Sequence, residues 1–247
     1  MSLELRARIL PASNATFIGR LDDVEVVYKP VAGERPLWDF PDGTLAEREV
    51  AAYEVSEALG WNVVPRTWLG EGPHGPGMLQ LWQDVDPEQE AVTLALASDG
   101  TPTGWHAVFE ALDGEGREVV LVHEESAALR RMALFDVVTN NADRKGGHVL
   151  EMAGGHRYGV DHGLTFHAEP KLRTVLWGWA DSELSADEVA ALERLRTRLA
   201  GGLGDALADL ITAAEIEALD ERCVRLLTAG RFPSPSAERF AIPWPPF

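Results

Sequence analysis

The chain has 247 residues, 45% of them apolar, and a formal charge of −18. That length and apolar content suit one large domain or a two-lobed one with a sizeable core. A field this acidic repels nucleic acid and anionic headgroups, and no Lys/Arg run overrides it, so the composition argues against nucleic-acid partners and stable membrane association.

Part of the acidity gathers in the last third (Asp181, Glu183, Asp187, Glu188, Glu215, Glu217, Asp220, Glu221), as solvated helix faces would have it. Cys223 is the only cysteine, so neither an intramolecular disulfide nor a cysteine zinc site is available, and its apolar helical setting makes it a core residue. Glu4, Arg6 and Arg8 interrupt the first apolar run and no stretch reaches membrane-span length, so the chain reads as cytoplasmic.

Residues 3–10, 16–21 and 24–28 alternate as short strands. The cluster Pro11-Ala12-Ser13-Asn14 separates the first two, and Pro30, which has no amide donor, ends the third at about Lys29. A three-stranded antiparallel meander with a lysine at its end is expected. Residues 33–43 form a loop, and Thr44 with Glu47 has the capping-box spacing for a helix that stops at Gly60. Residues 61–69 and 78–82 read as two more strands around a Gly/Pro turn.

Residues 84–118 are weakly patterned, with turn signals at Asp99-Gly100 and Asp113-Gly114. Residues 125–140 form a helix on Leu129, Met132, Ala133, Phe135, Val137 and Val138. A polar loop at 140–147 follows, then two short strands, 148–152 and 156–160, around Ala153-Gly154-Gly155. Residues 185–230 read as two or more amphipathic helices broken at 201–204, and the tail at 242–247 is too proline-rich for helix or central strand. The Trp38 and Trp61 neighbourhoods could be partner-binding surfaces, but large aromatics are more often core residues. The fold class is therefore α+β. An N-terminal lobe (1–83) holds antiparallel sheet plus one helix, and a mostly helical C-terminal lobe (84–247) follows.

Phosphoryl transfer asks for a cation on the phosphates, a carboxylate beside the attacking hydroxyl, and carboxylate-held Mg²⁺ bridging phosphate oxygens. Kinase folds supply these in a set chain order, and that order runs through this sequence. Lys29 ends the third strand. Glu49 on the next helix would pair with it, or Glu47 in its place, because the helix rotation is open. Asp143, in the loop from Asn140 to His148, would accept the substrate hydroxyl's proton or position that group, with Arg144 and Lys145 neutralising transferred phosphate. Asp161, just past the hairpin in Asp161-His162-Gly163, stands where a metal-binding aspartate belongs. Each feature alone is commonplace; the order carries the chemistry.

The segments Asn141-Ala142-Asp143-Arg144-Lys145 and Val160-Asp161-His162-Gly163-Leu164 resemble the phosphatidylinositol 3-/4-kinase superfamily, whose motifs run Asp-Arg-x-x-x-Asn and Asp-x-Gly. Nearly the whole chain is similar to a small actinobacterial branch of phosphatidylinositol-kinase-like proteins, from Ser13-Asn14-Ala15-Thr16 and Val27-Tyr28-Lys29-Pro30 through 35–43 to 242–247. The resemblance implies a bilobal protein-kinase-like or phosphatidylinositol-kinase-like fold, ATP at the lobe interface and divalent metal on Asp161. There are departures from the pattern. His148 stands where an Asn would hold a second Mg²⁺, and imidazole favours softer ions, which points to Mn²⁺ or a displaced site. The Ser13-Asn14 turn lacks a glycine-rich loop, leaving its backbone N–H groups and Ser13 for phosphate. Gln80 and Trp82 fall near the hinge that grips adenine.

His148, His156, His162 and His167 raise a metal-dependent hydrolase, but none shows the i, i+4 pairing of such sites. The same residues also admit a non-catalytic nucleotide-binding module (a pseudokinase) or an AMP transferase. After Asp161 the basic residues nearest are His167, Lys171 and Arg173, too few for an anionic lipid on so acidic a chain. The expected partners are ATP with Mg²⁺ or Mn²⁺ and a protein or small-molecule hydroxyl as acceptor.

Overall fold

The computed structural model describes residues 3–10, 14–35, 37–41, 43–236 and 240–247. Ser13, expected beside phosphate, lies outside the described residues. β1 (Leu3–Arg8), β2 (Phe17–Leu21), β3 (Val24–Pro30), β4 (Thr67–Gly72) and β5 (Gly75–Leu81) form one antiparallel sheet in the order β1-β2-β3-β5-β4. β3 runs one residue past Lys29 because Pro30 still pairs, opposite Gly77, with Lys29 opposite Met78. Leu3, Val26, Tyr28 and Leu79 bury together within this sheet.

Met78 packs on Ala46 and Val50 of α1 (Leu45–Leu59), so the helix lies against the strand pair that carries Lys29. The expected capping box forms: Thr44 Oγ accepts the Glu47 N–H at 3.1 Å and the Glu47 carboxylate accepts the Thr44 N–H at 2.8 Å. Glu34 adds acceptors for the Leu45 and Ala46 amides at 2.9 and 2.8 Å. These satisfy donors that a helix start leaves without partners. Residues 61–66 are not the expected strand. Ser56 Oγ takes the Val63 and Val64 amides at 2.8 and 3.1 Å, folding that segment back on α1 so that β4 begins only at Thr67.

The weakly patterned stretch is a second sheet: β6 (Val92–Leu96), β7 (Trp105–Leu112) and β8 (Glu118–Glu124), in the order β6-β8-β7. The C-terminal part, expected to be mostly helical, carries this three-stranded sheet besides its helices. Only central β8 puts a run of Val119, Leu121 and Val122 into the interior, while the outer strands are half-exposed and carry a weaker pattern. α2 (Ala127–Thr139), the hairpin β9 (Val149–Glu151) and β10 (Arg157–Gly159), α3 (Ala186–Leu199) and α5 (Ala213–Ala229) follow as expected, while α4 (Gly202–Ala208) begins inside the stretch expected to break the helices. The fold is α+β, with antiparallel sheets and five α-helices among the described residues.

The main core joins Ala51, Val55 and Leu59 of α1 to Leu129 and Phe135 of α2, Leu192 and Leu195 of α3, and Leu219 and Cys223 of α5. It crosses the boundary expected between residues 83 and 84. Burial pushes the Cys223 thiol up to about 12, which keeps it unreactive. Trp61 packs against this core, whereas Trp38 is 90% exposed. Among the described residues no helix is long and apolar enough to cross a membrane.

His123 of β8 stacks within 4.7 Å of Trp179, with His106 of β7 beside both rings. Its Nε2 accepts the Gly178 N–H at 3.0 Å, so Nδ1 carries the proton and meets the Glu124 carbonyl at 3.0 Å. Residue 178 must be glycine, because a Cβ there would overlap both imidazoles. Burial, aided by His106, pulls the His123 pKa down to about 4. Between pH 6.5 and 4 the unfolded chain therefore binds a proton that the folded chain refuses. Stability drops as the pH drops through that window, by up to about 3 kcal/mol from this group. Urea unfolding across the range should show the loss, and His123→Gln should make it shallower; a variant profile parallel to wild type would reject the assignment.

Candidate active site

Asp136 is the only acidic residue of α2 and is fully buried among apolar neighbours. A charge in that position needs a partner with many donors. Arg144, also fully buried, supplies it. Its Nε lies 3.1 Å from both Asp136 oxygens and its Nη2 3.0 Å from Oδ1. Asn141 Nδ2 (2.9 Å) and Thr174 Oγ1 (3.1 Å) donate to the same carboxylate. The remaining Arg144 donors reach the His148 and Val160 carbonyls at 3.1 and 3.2 Å and His162 Nε2 at 2.7 Å. The expectation that Arg144 meets transferred phosphate is thereby corrected: its guanidinium ties the loop to α2, the hairpin and the segment after Asp161.

The loop backbone is held residue by residue. The Ala142 N–H donates to the Leu164 carbonyl (2.8 Å), Asp143 to Asn141 Oδ1 (3.0 Å), Arg144 to the Arg173 carbonyl (3.1 Å) and Gly146 to the Pro246 carbonyl (2.8 Å). With Arg144 turned inward, Asp143 and Lys145 are the side chains left outward, and their charged ends lie 3.6 Å apart. Burial raises the Asp143 pKa, an effect that Lys145 and Arg173 offset in part and the Asp161 charge reinforces.

Lys29 reaches across from β3. Its Nζ pairs with Glu49 Oε1 at 2.7 Å and with Asp161, a residue 132 positions away in the chain. Glu49 Oε2 accepts the His162 N–H at 2.9 Å, which locks α1 to the segment holding Asp161. Glu49 is thus the partner of Lys29, since Glu47 is engaged in the helix cap. Burial opposes the Lys29 charge, but Asp161 and Glu49 outweigh it and hold the pKa above the usual lysine value. Lys29 first, and His148 less, hold Asp161 below the usual carboxylate range against desolvation. Asp161 adopts φ 59°, a left-handed conformation that costs most residues energy and that Asp tolerates.

His148 Nε2 stands 3.5 Å from Asp161 Oδ2. Burial pulls its pKa down to about 4, against the pull of Asp161, so the ring is neutral at neutral pH and offers a lone pair. Its Nδ1 is buried without a partner among the described residues. A half-exposed carboxylate and a neutral imidazole side by side could hold a divalent cation, the nitrogen favouring Mn²⁺-like ions over Mg²⁺. Among the described residues no three His, Cys, Asp or Glu side chains converge as a metal cage.

Further residues expected at the site take different roles. Asn14 Oδ1 accepts the Arg35 N–H at 3.0 Å, so that oxygen closes a loop. Gln80, expected near the hinge, has its side chain buried and donating to Thr67 Oγ1 at 2.9 Å. Trp82 spends its amide on the Glu25 carbonyl and its indole N–H on Asp84, each at 3.0 Å. His162 is buried behind Arg144, His156 stacks on Tyr158, and His167 packs on Phe40. Asp136, Thr174 and Glu34 are the site-building residues that the motifs did not single out. A lone carboxylate on an apolar helix was the signal for the first.

No family model matches the chain. It is 51% identical over 258 residues to protein Rv2133c of Mycobacterium tuberculosis (strain ATCC 25618 / H37Rv), covering 99% of this chain and 92% of that protein. Among solved structures, the crystal structure of a Helicobacter pylori proinflammatory kinase, CtkA, superposes with a TM-score of 0.47 at 12% identity, over 93% of this chain and 92% of that one. Likeness at that level says nothing of activity.

Breaking the Asp136–Arg144 pair on one side leaves a buried charge without its partner. Asp136→Ala should lower the unfolding free energy by about 3–5 kcal/mol, read as a drop in the urea midpoint. A midpoint within experimental error of wild type would remove the pair from its structural role.

Proposed function

The chain belongs to the family of Mycobacterium tuberculosis protein Rv2133c, and we propose that it is a kinase-like, ATP-dependent phosphotransferase acting on a hydroxyl acceptor. One observation carries this reading: Lys29 pairs at once with Glu49 of α1 and with Asp161 after the hairpin, beside the loop that presents Asp143. Four separate segments converge on the charges that phosphoryl transfer needs.

In this reading Lys29 meets ATP phosphate oxygens and Glu49 aims it. Asp161 and His148 would hold Mg²⁺ or Mn²⁺, which when bound would neutralise phosphate charge. Asp143 accepts the proton of the acceptor hydroxyl, and its raised pKa makes it a better base than an ordinary carboxylate. The acceptor oxygen forms the new P–O bond as the bond between γ-phosphorus and the bridging oxygen breaks, with ADP taking the electron pair. Lys145, 3.6 Å from Asp143, balances charge on the transferred group.

The acceptor we favour is a protein or small-molecule hydroxyl in preference to a phosphoinositide. Lys171 is held by Asp39 at 3.6 Å and lies over the Trp38 ring. His167 Nδ1 accepts the Glu169 N–H, and Arg173 Nε donates to the Ala142 carbonyl. These three basic groups of the stretch after Asp161 are thus engaged inside the protein, on a chain of charge −18. A second reading, nucleotide binding without transfer, draws on His148 standing in a position where an amide oxygen would hold metal.

Calorimetry with ATP and Mg²⁺ or Mn²⁺ tests the binding step. Binding should be tighter with Mn²⁺ and should weaken at least about tenfold in Lys29→Met; no binding of ATP under any condition would sink the proposal. With γ-labelled ATP, Asp143→Ala should cut transfer by about 10²–10⁴-fold while leaving ATP affinity within about threefold. Label transfer from α-labelled ATP would point to AMP transfer, and binding without any transfer to the pseudokinase reading.

A further inference from the structure

The segment 240–247 is bonded to the Asp143 loop at one end and to the stretch beside that loop at the other. At one end the Ala241 carbonyl accepts the Thr174 N–H at 3.0 Å and the Trp177 indole N–H at 2.8 Å. At the other the Pro246 carbonyl accepts the Gly146 N–H at 2.8 Å. Both receiving segments belong to the Asp143 loop or run beside it: Thr174 bonds Asp136 and forms a parallel bridge with Arg144. Gly146 follows Lys145 directly and is three residues from Asp143.

The Phe247 ring lies against Gly146, so closely that a Cβ there would collide with it. Gly146 does not have a positive φ, so its backbone would accept a side chain; the contact with Phe247 is what excludes one. Pro243, Pro245 and Pro246 fix their own φ angles and so limit the conformations open to the segment between its anchors.

Given the phosphotransferase function proposed for this site, we propose that residues 241–247 are a strap that positions the Asp143–Lys145 loop, with Pro246 and Phe247 as positioning residues. Among the described residues the bonds of Lys29 and Asp161 run to Glu49, to His148 and to each other and none runs to the strap, so the strap acts first on the presentation of Asp143. Loosening it should lower turnover without loosening ATP.

The test compares the full chain with Phe247→Ala, Phe247→Tyr, Gly146→Ala and the Gly146→Ala/Phe247→Ala pair. Hydrogen exchange reads the Gly146 position amide, and hydrolysis of ATP with Mn²⁺, water serving as acceptor, reads turnover. Phe247→Ala and Gly146→Ala should each speed that exchange about tenfold or more and lower kcat about tenfold, with KM for ATP within about twofold. Phe247→Tyr should stay near wild type, and the pair should be no worse than either single variant because both remove one contact. Unchanged exchange at residue 146 in both single variants would overturn the strap, as would a rise in kcat on Phe247→Ala, which would make the segment a cover. Absence of ATP binding by wild type would defeat the proposed function, while the exchange measurement would still decide whether the strap holds the loop.

Discussion

A fully buried ion pair between Asp136 and Arg144 is the constraint on which the rest of the site depends. Taking both charges out of water costs several kcal/mol per ion, and the geometry must be nearly complete to offset it. Here the Arg144 guanidinium uses its donors on Asp136, two backbone carbonyls and the His162 ring, while Asp136 collects further bonds from Asn141 and Thr174. Such a network tolerates one arrangement of α2, the loop, the hairpin and the extended segment at 173–175. It holds the backbone on either side of Asp143 still, so that only that carboxylate and Lys145 turn outward.

A second charge cluster joins β3, α1 and the segment after the hairpin. Lys29 stands between Glu49 and Asp161, one cation against two carboxylates, and His148 beside them is neutral. The group is left with an excess of negative charge that faces a half-open surface. A divalent cation would neutralise that imbalance, which gives local meaning to an acidity that elsewhere keeps helix faces solvated. Because Glu49 also binds the amide of His162, any motion of α1 moves the backbone next to Asp161.

Most of the regular structure was legible because local signals and tertiary packing agree. The capping box at Thr44 and Glu47, the periodic apolar positions of α2 and the glycine-rich hairpin each name an element by a local physical mechanism. The second sheet was not legible, since β6 and β7 expose one face and alternate weakly; their pairing is driven by β8 between them. Residues 61–66 failed for another reason. A strand-like composition yielded to Ser56, whose hydroxyl takes two amides that a strand would have paired. Trp38 is a large aromatic on the surface, held by a cation instead of a core.

By itself the sequence determined the order of Lys29, Glu49, Asp143 and Asp161, the kinds of element that carry them, and the acidity around them, because these follow from local propensity and composition. Only the tertiary structure decided which carboxylate faces Lys29. Helix rotation is set by the packing of α1 on Met78 and on the main core, which leaves Glu47 to cap and turns Glu49 inward. It also decided that Arg144 points inward. An arginine beside a catalytic-type aspartate reads as a phosphate contact until a buried Asp136, eight residues earlier, is found to require its charge. Residue spacing cannot report that demand, because it arises from desolvation, and desolvation exists only once the chain has folded.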